Sequence, residues 1–236
     1  MLVMGIDSSS EIGAFGLVNK EGIVGEINLH LANRHSEEML TNIDFLLKQT
    51  GYSIKDLNGI CITNGPGSFT GLRIGLSTAR TFAQVLDIPI IGISCLDVLA
   101  YNIGLSEEWI IPIIDARRER VYTAVYQGWA QDIVSRKISC DRAVEIDTLF
   151  EELENRAPQG NFVFVGDGCT VYQEFIKKSR INIRTTTMDR NIIHGGVVAE
   201  LGYYYLERGK GRNYLEILPN YLKKPQAEIN WLKNNG

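Results

Sequence analysis

The runs LVMGID at residues 2–7 and IIPIID at residues 110–115 are one device used twice: a short apolar strand that ends on an aspartate. Apolar runs of this length read as strands. After the first run, Gly13 to Val18 and Ile23 to Leu31 alternate in polarity around the turn Asn19, Lys20, Glu21, Gly22, which gives a three-strand meander. Met39, Leu40, Ile43, Leu46 and Leu47 then recur at steps of three and four, predicting a helix with Ser36 as its cap and Gly51 as its stop. A strand over Gly59 to Thr63, a helix over Gly71 to Val85, a strand over Pro89 to Ile93 and a helix over Cys95 to Tyr101 complete the order βββαβαβα.

The second half starts the same way. Val121 to Gln127 reads as a hairpin strand, Thr148 to Asn155 as a helix, Phe162 to Val165 as a strand and Val171 to Lys178 as a helix. A longer helix over Ile193 to Arg208 carries Val197, Val198, Leu201, Tyr204 and Tyr205 on its packed side. The expected fold class is therefore α/β: a duplicated unit in two lobes, residues 1–105 and 106–236, with a hinge near Ile103 to Glu108 and with Asp7 and Asp115 in equivalent positions.

Composition narrows the function. A chain of 236 residues that is 44% hydrophobic can bury one large core or two small ones. Its net charge of -4 leaves no protein-wide field to gather nucleic acid, so any RNA contact is local or made through a partner. Cys61, Cys95, Cys140 and Cys169 are scattered, without a CxxC pair or neighbouring histidines, which argues against a zinc site or a disulfide framework and for a reducing compartment. MLVMGID has no basic region ahead of an apolar stretch, and no apolar run approaches the roughly 18 residues of a membrane span. The expectation is a soluble cytoplasmic protein.

Four stretches carry possible chemistry. NGPGSFTGLRIG (64–75) hands a strand over to a helix, the usual place for an anion cradle, yet it has neither the lysine of a Walker loop nor the spacing of a dinucleotide fingerprint. The small residues Gly71, Gly75, Ala79 and Ala83 repeat every four positions in that helix, as a tight internal contact or as a subunit interface. IDSSS (6–10) offers Asp7, Ser8 and Ser9 to a phosphate, or forms a plain turn. DARRERVY (115–122) holds Arg117, Arg118 and Arg120 in the densest positive spot of the chain, facing phosphates or solvated beside acids. VGDG (165–168) is a tight turn that either faces a nucleotide or simply turns the chain. His35 marks a helix start, His30 and His194 have no local partners, and no metal site is expected. LPNYLKKPQAE (218–228), interrupted by Pro219 and Pro225, should run extended over the surface.

Together IDSSS, RHSEEML, NGPGSFTGLRIGLSTAR, IDARRERVY and PNYLKKPQAE resemble the TsaB (YeaZ) family, over residues 4 to about 228. The resemblance implies the actin-like (ASKHA) fold and a non-catalytic subunit in the making of threonylcarbamoyladenosine on tRNA. It implies pairing with a TsaD-type catalytic subunit, with a TsaE-type ATPase joining them and tRNA reached only through the complex. It also implies a homodimer when the chain is alone, and no cofactor of its own beyond ATP or ADP at the complex interface. The pairing surface would lie on the helices at 36–50 and 71–86, with Met39, Leu40, Ile43, Thr70, Leu72, Arg73, Leu76, Ser77 and Arg80 toward the partner. The catalytic relative carries a metal-binding histidine pair shortly after its own GPG segment, whereas the comparable stretch IGISCLDVLA (91–100) has no histidine, and IDSSS lacks the glycine of the phosphate turn.

Overall fold

The first apolar run becomes β1 (Val3–Asp7), buried along its whole length. In the computed structural model, which describes residues 1–32, 34–129 and 136–223, it is followed by β2 (Ile12–Asn19), β3 (Gly22–His30), α1 (His35–Thr50), β4 (Gly59–Gly65), α2 (Phe69–Leu86), β5 (Ile90–Ser94) and α3 (Cys95–Tyr101). The strands form one sheet in the order β3-β2-β1-β4-β5, with β1, β4 and β5 parallel and β2 and β3 antiparallel. Helices α1 and α2 cover one face, joining Met39, Ile43, Leu46, Leu76 and Ala79 to Met4, Ile6, Phe15, Ile60 and Ile62 in a single core.

The second half repeats the plan with β6 (Trp109–Asp115), β7 (Arg120–Thr123), β8 (Tyr126–Gln127), β9 (Arg142–Glu145), α4 (Ile146–Arg156), β10 (Asn161–Val165), α5 (Gly168–Val171), α6 (Gln173–Lys178), β11 (Asn182–Thr185) and α7 (Gly195–Glu207). Its sheet runs β11-β10-β6-β7-β9, which is the first sheet's order read from the other edge, with β8 paired to the start of β6. Asp7 ends β1 and Asp115 ends β6, so the two aspartates are equivalent as expected. Phe162, Phe164, Leu149 and Leu153 pack α4 on the outer face of this sheet.

Between the sheets lie α3 and α7. Val98, Leu99, Val198 and Leu201 share one core with Val3, Cys61 and Ile91 of the first sheet and Ile110, Val163 and Val165 of the second. This continuous layer binds the lobes together. The connection at 103–108, read from sequence as a hinge, is itself tied down: Arg136 donates to the Gly104 carbonyl at 3.0 Å and the Ser106 amide donates to the Gly128 carbonyl at 2.9 Å. Helix α7 also packs on the first sheet, so closely that a Cβ at Gly5 would overlap the Ala199 backbone. The first sheet also caps that helix, Glu26 accepting from the Gly196 amide at 2.9 Å and Asn28 from the Gly195 amide at 3.2 Å.

Local departures from the sequence reading have local causes. Helix α1 starts at His35 rather than after a Ser36 cap, because the His35 ring is buried and hydrogen-bonded through Nε2 to the Ser10 carbonyl at 2.8 Å. The strand expected over 121–127 is two strands, which pair with different stretches of β6. The short strands β9 and β11 are polar enough to escape a pattern search, and their neighbours in the sheet impose them. No helix among the described residues is long and apolar enough to cross a membrane.

Candidate functional site at the two strand ends

In open α/β sheets ligands collect beyond the carboxyl ends of parallel strands, which here means the turns after Asp7 and Asp115. The first turn is closed. Asp7 is 0% exposed; its Oδ1 accepts from the Thr63 hydroxyl and, at 3.2 Å, from the Ser9 amide, while its Oδ2 has no partner among the described residues. Burial pushes this carboxyl above the usual carboxylate range. The buried Ser8 hydroxyl donates to the Gly71 carbonyl at 2.9 Å, and the Ser9 carbonyl accepts from the Ser68 amide at 2.6 Å. Ser68 in turn caps α2, accepting from the Gly71 amide at 3.2 Å.

The glycines of the 64–75 stretch explain this closure. A Cβ on Gly67 would overlap Ser9, and a Cβ on Gly71 or Gly75 would overlap Ser8. The small-residue stripe is thus an internal contact, which seats the start of α2 directly on the turn where the sequence offered a phosphate position at Asp7, Ser8 and Ser9. Asp7→Asn keeps an acceptor for Thr63 and Ser9 without a buried charge. Because the folded-state pKa is raised, ionisation of Asp7 destabilises the fold; that cost is absent below the ordinary carboxylate pKa and grows as pH rises through the raised value. The variant should therefore unfold at higher denaturant than the parent at neutral pH, and the gap should shrink as pH falls. A variant less stable at pH 7 than at pH 4, relative to the parent, contradicts this.

The second turn joins two stretches that lie far apart in sequence. The Tyr172 hydroxyl is 2.7 Å from Asp115 Oδ1 and 3.0 Å from the Arg120 carbonyl, and the Arg117 amide donates to Asp115 Oδ1 at 2.8 Å. From the VGDG turn, Asp167 accepts from the Asp115 amide at 3.0 Å, and burial raises its pKa. Arg117, Arg118 and Glu119 all take left-handed backbone conformations, with φ of 59°, 58° and 57°, and Arg117 and Arg118 are exposed, whereas Arg120 is half-buried and donates to the Ala143 carbonyl at 3.2 Å. The role of Tyr172 was not legible beforehand, since nothing in its local sequence ties it to Asp115.

The outward faces of α1 and α2 require a correction. Met39, Ile43, Leu72 and Leu76, expected to meet a partner, are buried in the chain's own core. Leu40 (56% exposed), Thr70, Arg73 and Ser77 do point outward, and Arg80 is half-buried. Phe45, 54% exposed on α1, joins them; it falls outside the apolar repeat that drew attention to its neighbours. The 91–100 stretch offers no metal set: Cys95 is buried with its thiol pKa pushed up, and Asp97 accepts from Tyr126 at 2.6 Å and Lys137 at 2.7 Å. Among the described residues no three His, Cys, Asp or Glu side chains are placed to hold a metal, and the three described cysteines of the interior, Cys61, Cys95 and Cys169, are free thiols.

Two copies of a βββαβαβα unit, an aspartate ending each lead strand and two helices between the sheets define an actin-like chain. A family model described as TsaD: tRNA N6-adenosine threonylcarbamoyltransferase matches residues 18–231. The chain is 28% identical to the tRNA threonylcarbamoyladenosine biosynthesis protein TsaB of Bacillus subtilis (strain 168), over 99% of both chains. YeaZ from Pseudomonas aeruginosa shares the fold with a TM-score of 0.74 at 21% identity, over 93% of this chain and 100% of that one. The activator of the 2-hydroxyisocaproyl-CoA dehydratase from Clostridium difficile, with bound ADPNP, shares it more distantly, with a TM-score of 0.52 at 12% identity over 94% and 100%. The chain belongs to the family that this model describes, on its TsaB (YeaZ) branch.

Proposed function

We propose that this chain serves tRNA threonylcarbamoyladenosine biosynthesis as a subunit that transfers nothing itself but pairs with a TsaD-type catalytic subunit and activates it. The observation that carries the reading is the sealed first turn: Asp7 and Ser8 are buried under the start of α2, and the bonds made by Asp7 Oδ1 and the Ser8 hydroxyl all run to partners inside the protein. A chain using Asp7 to position phosphate or metal-bound water would need that turn open. The outward faces of α1 and α2, with Leu40, Phe45, Arg73, Ser77 and Arg80, supply apolar anchors beside arginine, a composition suited to an interface. In this reading the same face makes a homodimer when the chain is alone, so homodimer and heterodimer compete. A TsaE-type ATPase joins the pair in the cytoplasm, any ATP or ADP sits at the complex interface, and tRNA is met only through the complex.

The test mixes the full chain with its TsaD-type partner and follows both complex mass and tRNA modification. Leu40→Asp or Arg80→Glu should weaken assembly at least about tenfold, with the unfolding midpoint of the isolated chain close to the parent's. Modification that proceeds equally well without this chain removes the proposal. Steady ATP turnover by the pure chain would replace it with an enzyme reading.

A further inference from the structure

The segment that leaves the short helical turn at Tyr214–Glu216 crosses from one lobe to the other. On the first lobe, the Asn220 amide donates to the Asn64 carbonyl at 2.7 Å, and Asn64 Nδ2 donates to the Leu218 carbonyl at 3.2 Å. Gly65, at φ +118°, lies so close beneath that a Cβ there would stand 2.8 Å from the Asn220 carbonyl oxygen. The Tyr221 ring then packs on Phe69 at 4.8 Å between centroids, its hydroxyl accepts from Arg73 Nε at 3.1 Å, and the Arg73 guanidinium lies 3.8 Å from the Phe69 ring centre. On the second lobe, Asn220 Nδ2 donates to Asp141 at 3.3 Å, the Lys223 ammonium donates to the Ala116 carbonyl, and it stands 5.6 Å from the Tyr122 ring centre.

Asn64 follows Thr63, which holds Asp7; Ala116 follows Asp115. From Asn220 to Lys223 is three residue steps, about 10 Å of extended chain before the lysine side chain is added. So short a piece can touch both strand ends only where the lobes come closest. We infer that residues 218–223 are a strap fastened from one lobe to the other across the two strand ends, which mechanically couples the first turn of α2 to the turn after β6. Tyr221 is its clasp on the first lobe and Lys223 its clasp on the second. Partial burial, with Arg120 and Arg118 nearby and Asp115 opposing them, lowers the Lys223 pKa without removing its role as a donor to Ala116. Arg73 also belongs to the face proposed above for a partner, but the strap stands on its own contacts and not on that reading.

Hydrogen exchange on the full chain tests the coupling, with Tyr221→Ala and with Lys223→Met, which keeps the aliphatic stem and loses the ammonium. Losing one ring contact and one hydrogen bond should speed exchange about tenfold where the strap holds. The expected signature is reciprocal. Tyr221→Ala speeds the amides of 116–122, which Tyr221 does not touch, and Lys223→Met speeds those of 65–73, while β1, β4 and β6 keep their protection. Three results overturn the inference: each variant loosens only its own lobe, neither variant changes either turn, or every segment accelerates together with a lower unfolding midpoint.

Discussion

Leu76→Asp should severely destabilise the fold rather than merely weaken an interface. The side chain is 4% exposed and shares a core with residues of α1, β1 and β4. Removing a buried leucine costs about 2–5 kcal/mol, and an uncompensated charge at such a site about 3–5 kcal/mol more, lessened only if the carboxyl stays protonated. Set against a total stability of about 5–15 kcal/mol, a sum of about 5–10 kcal/mol removes most of the margin of a typical domain and all of it at the lower end. Arg80→Glu, four residues on and half-buried at the surface, should cost less than about 1 kcal/mol. Urea titrations followed by circular dichroism separate the two. A Leu76→Asp chain that unfolds cooperatively near the parent midpoint would return this residue to the outward face.

Why the sequence placed Leu76 outward is instructive. Helical spacing shows that a helix has an apolar face, and the face of α2 bearing Leu72, Leu76, Ala79 and Ala83 is real. It cannot show what covers that face. Here the sheet does, and the resemblance to a pairing family invited the same residues to serve two surfaces at once. The outward residues of α2, Thr70, Arg73 and Ser77 among them, lie between the buried ones, and only a sheet laid against the helix distinguishes them.

The repeated plan was legible because it is written in apolar, locally bounded elements: β1 and β6 with their terminal aspartates, and the helices α1 and α2. What escaped depends on contacts between distant stretches. β11 is recruited by the edge of β10, Tyr172 reaches Asp115 across 57 positions, and α7 crosses back to the sheet that opened the chain. The closure of the Asp7 turn lay half in view. The missing lysine and glycine weakened the phosphate reading, but that Gly71 and Gly75 exist to admit Ser8 emerges only when turn and helix are brought together.

That last relation yields a second large effect with an internal control. A Cβ at Gly71 would overlap the Ser8 backbone carbonyl, which cannot rotate away, so Gly71→Ala must push the first turn of α2 off the Asp7 turn. Overpacking against a backbone atom costs about 1–3 kcal/mol. Gly75 sits one turn further into the helix, where alanine normally gains up to about 1 kcal/mol over glycine. Its Cβ would overlap the Ser8 hydroxyl and press at 3.1 Å on Ile62 Cδ1, the far end of a flexible side chain, with the Ser8 Cβ at an ordinary 3.4 Å. Ser8→Ala should therefore relieve Gly75→Ala, the double variant being about 1 kcal/mol or more better than the sum of the singles, and should bring no relief to Gly71→Ala. Equal coupling in both pairs would mean that the helix settles on the turn by some other contact. Unequal coupling of the stated sign ties the glycine spacing of NGPGSFTGLRIG to a single serine.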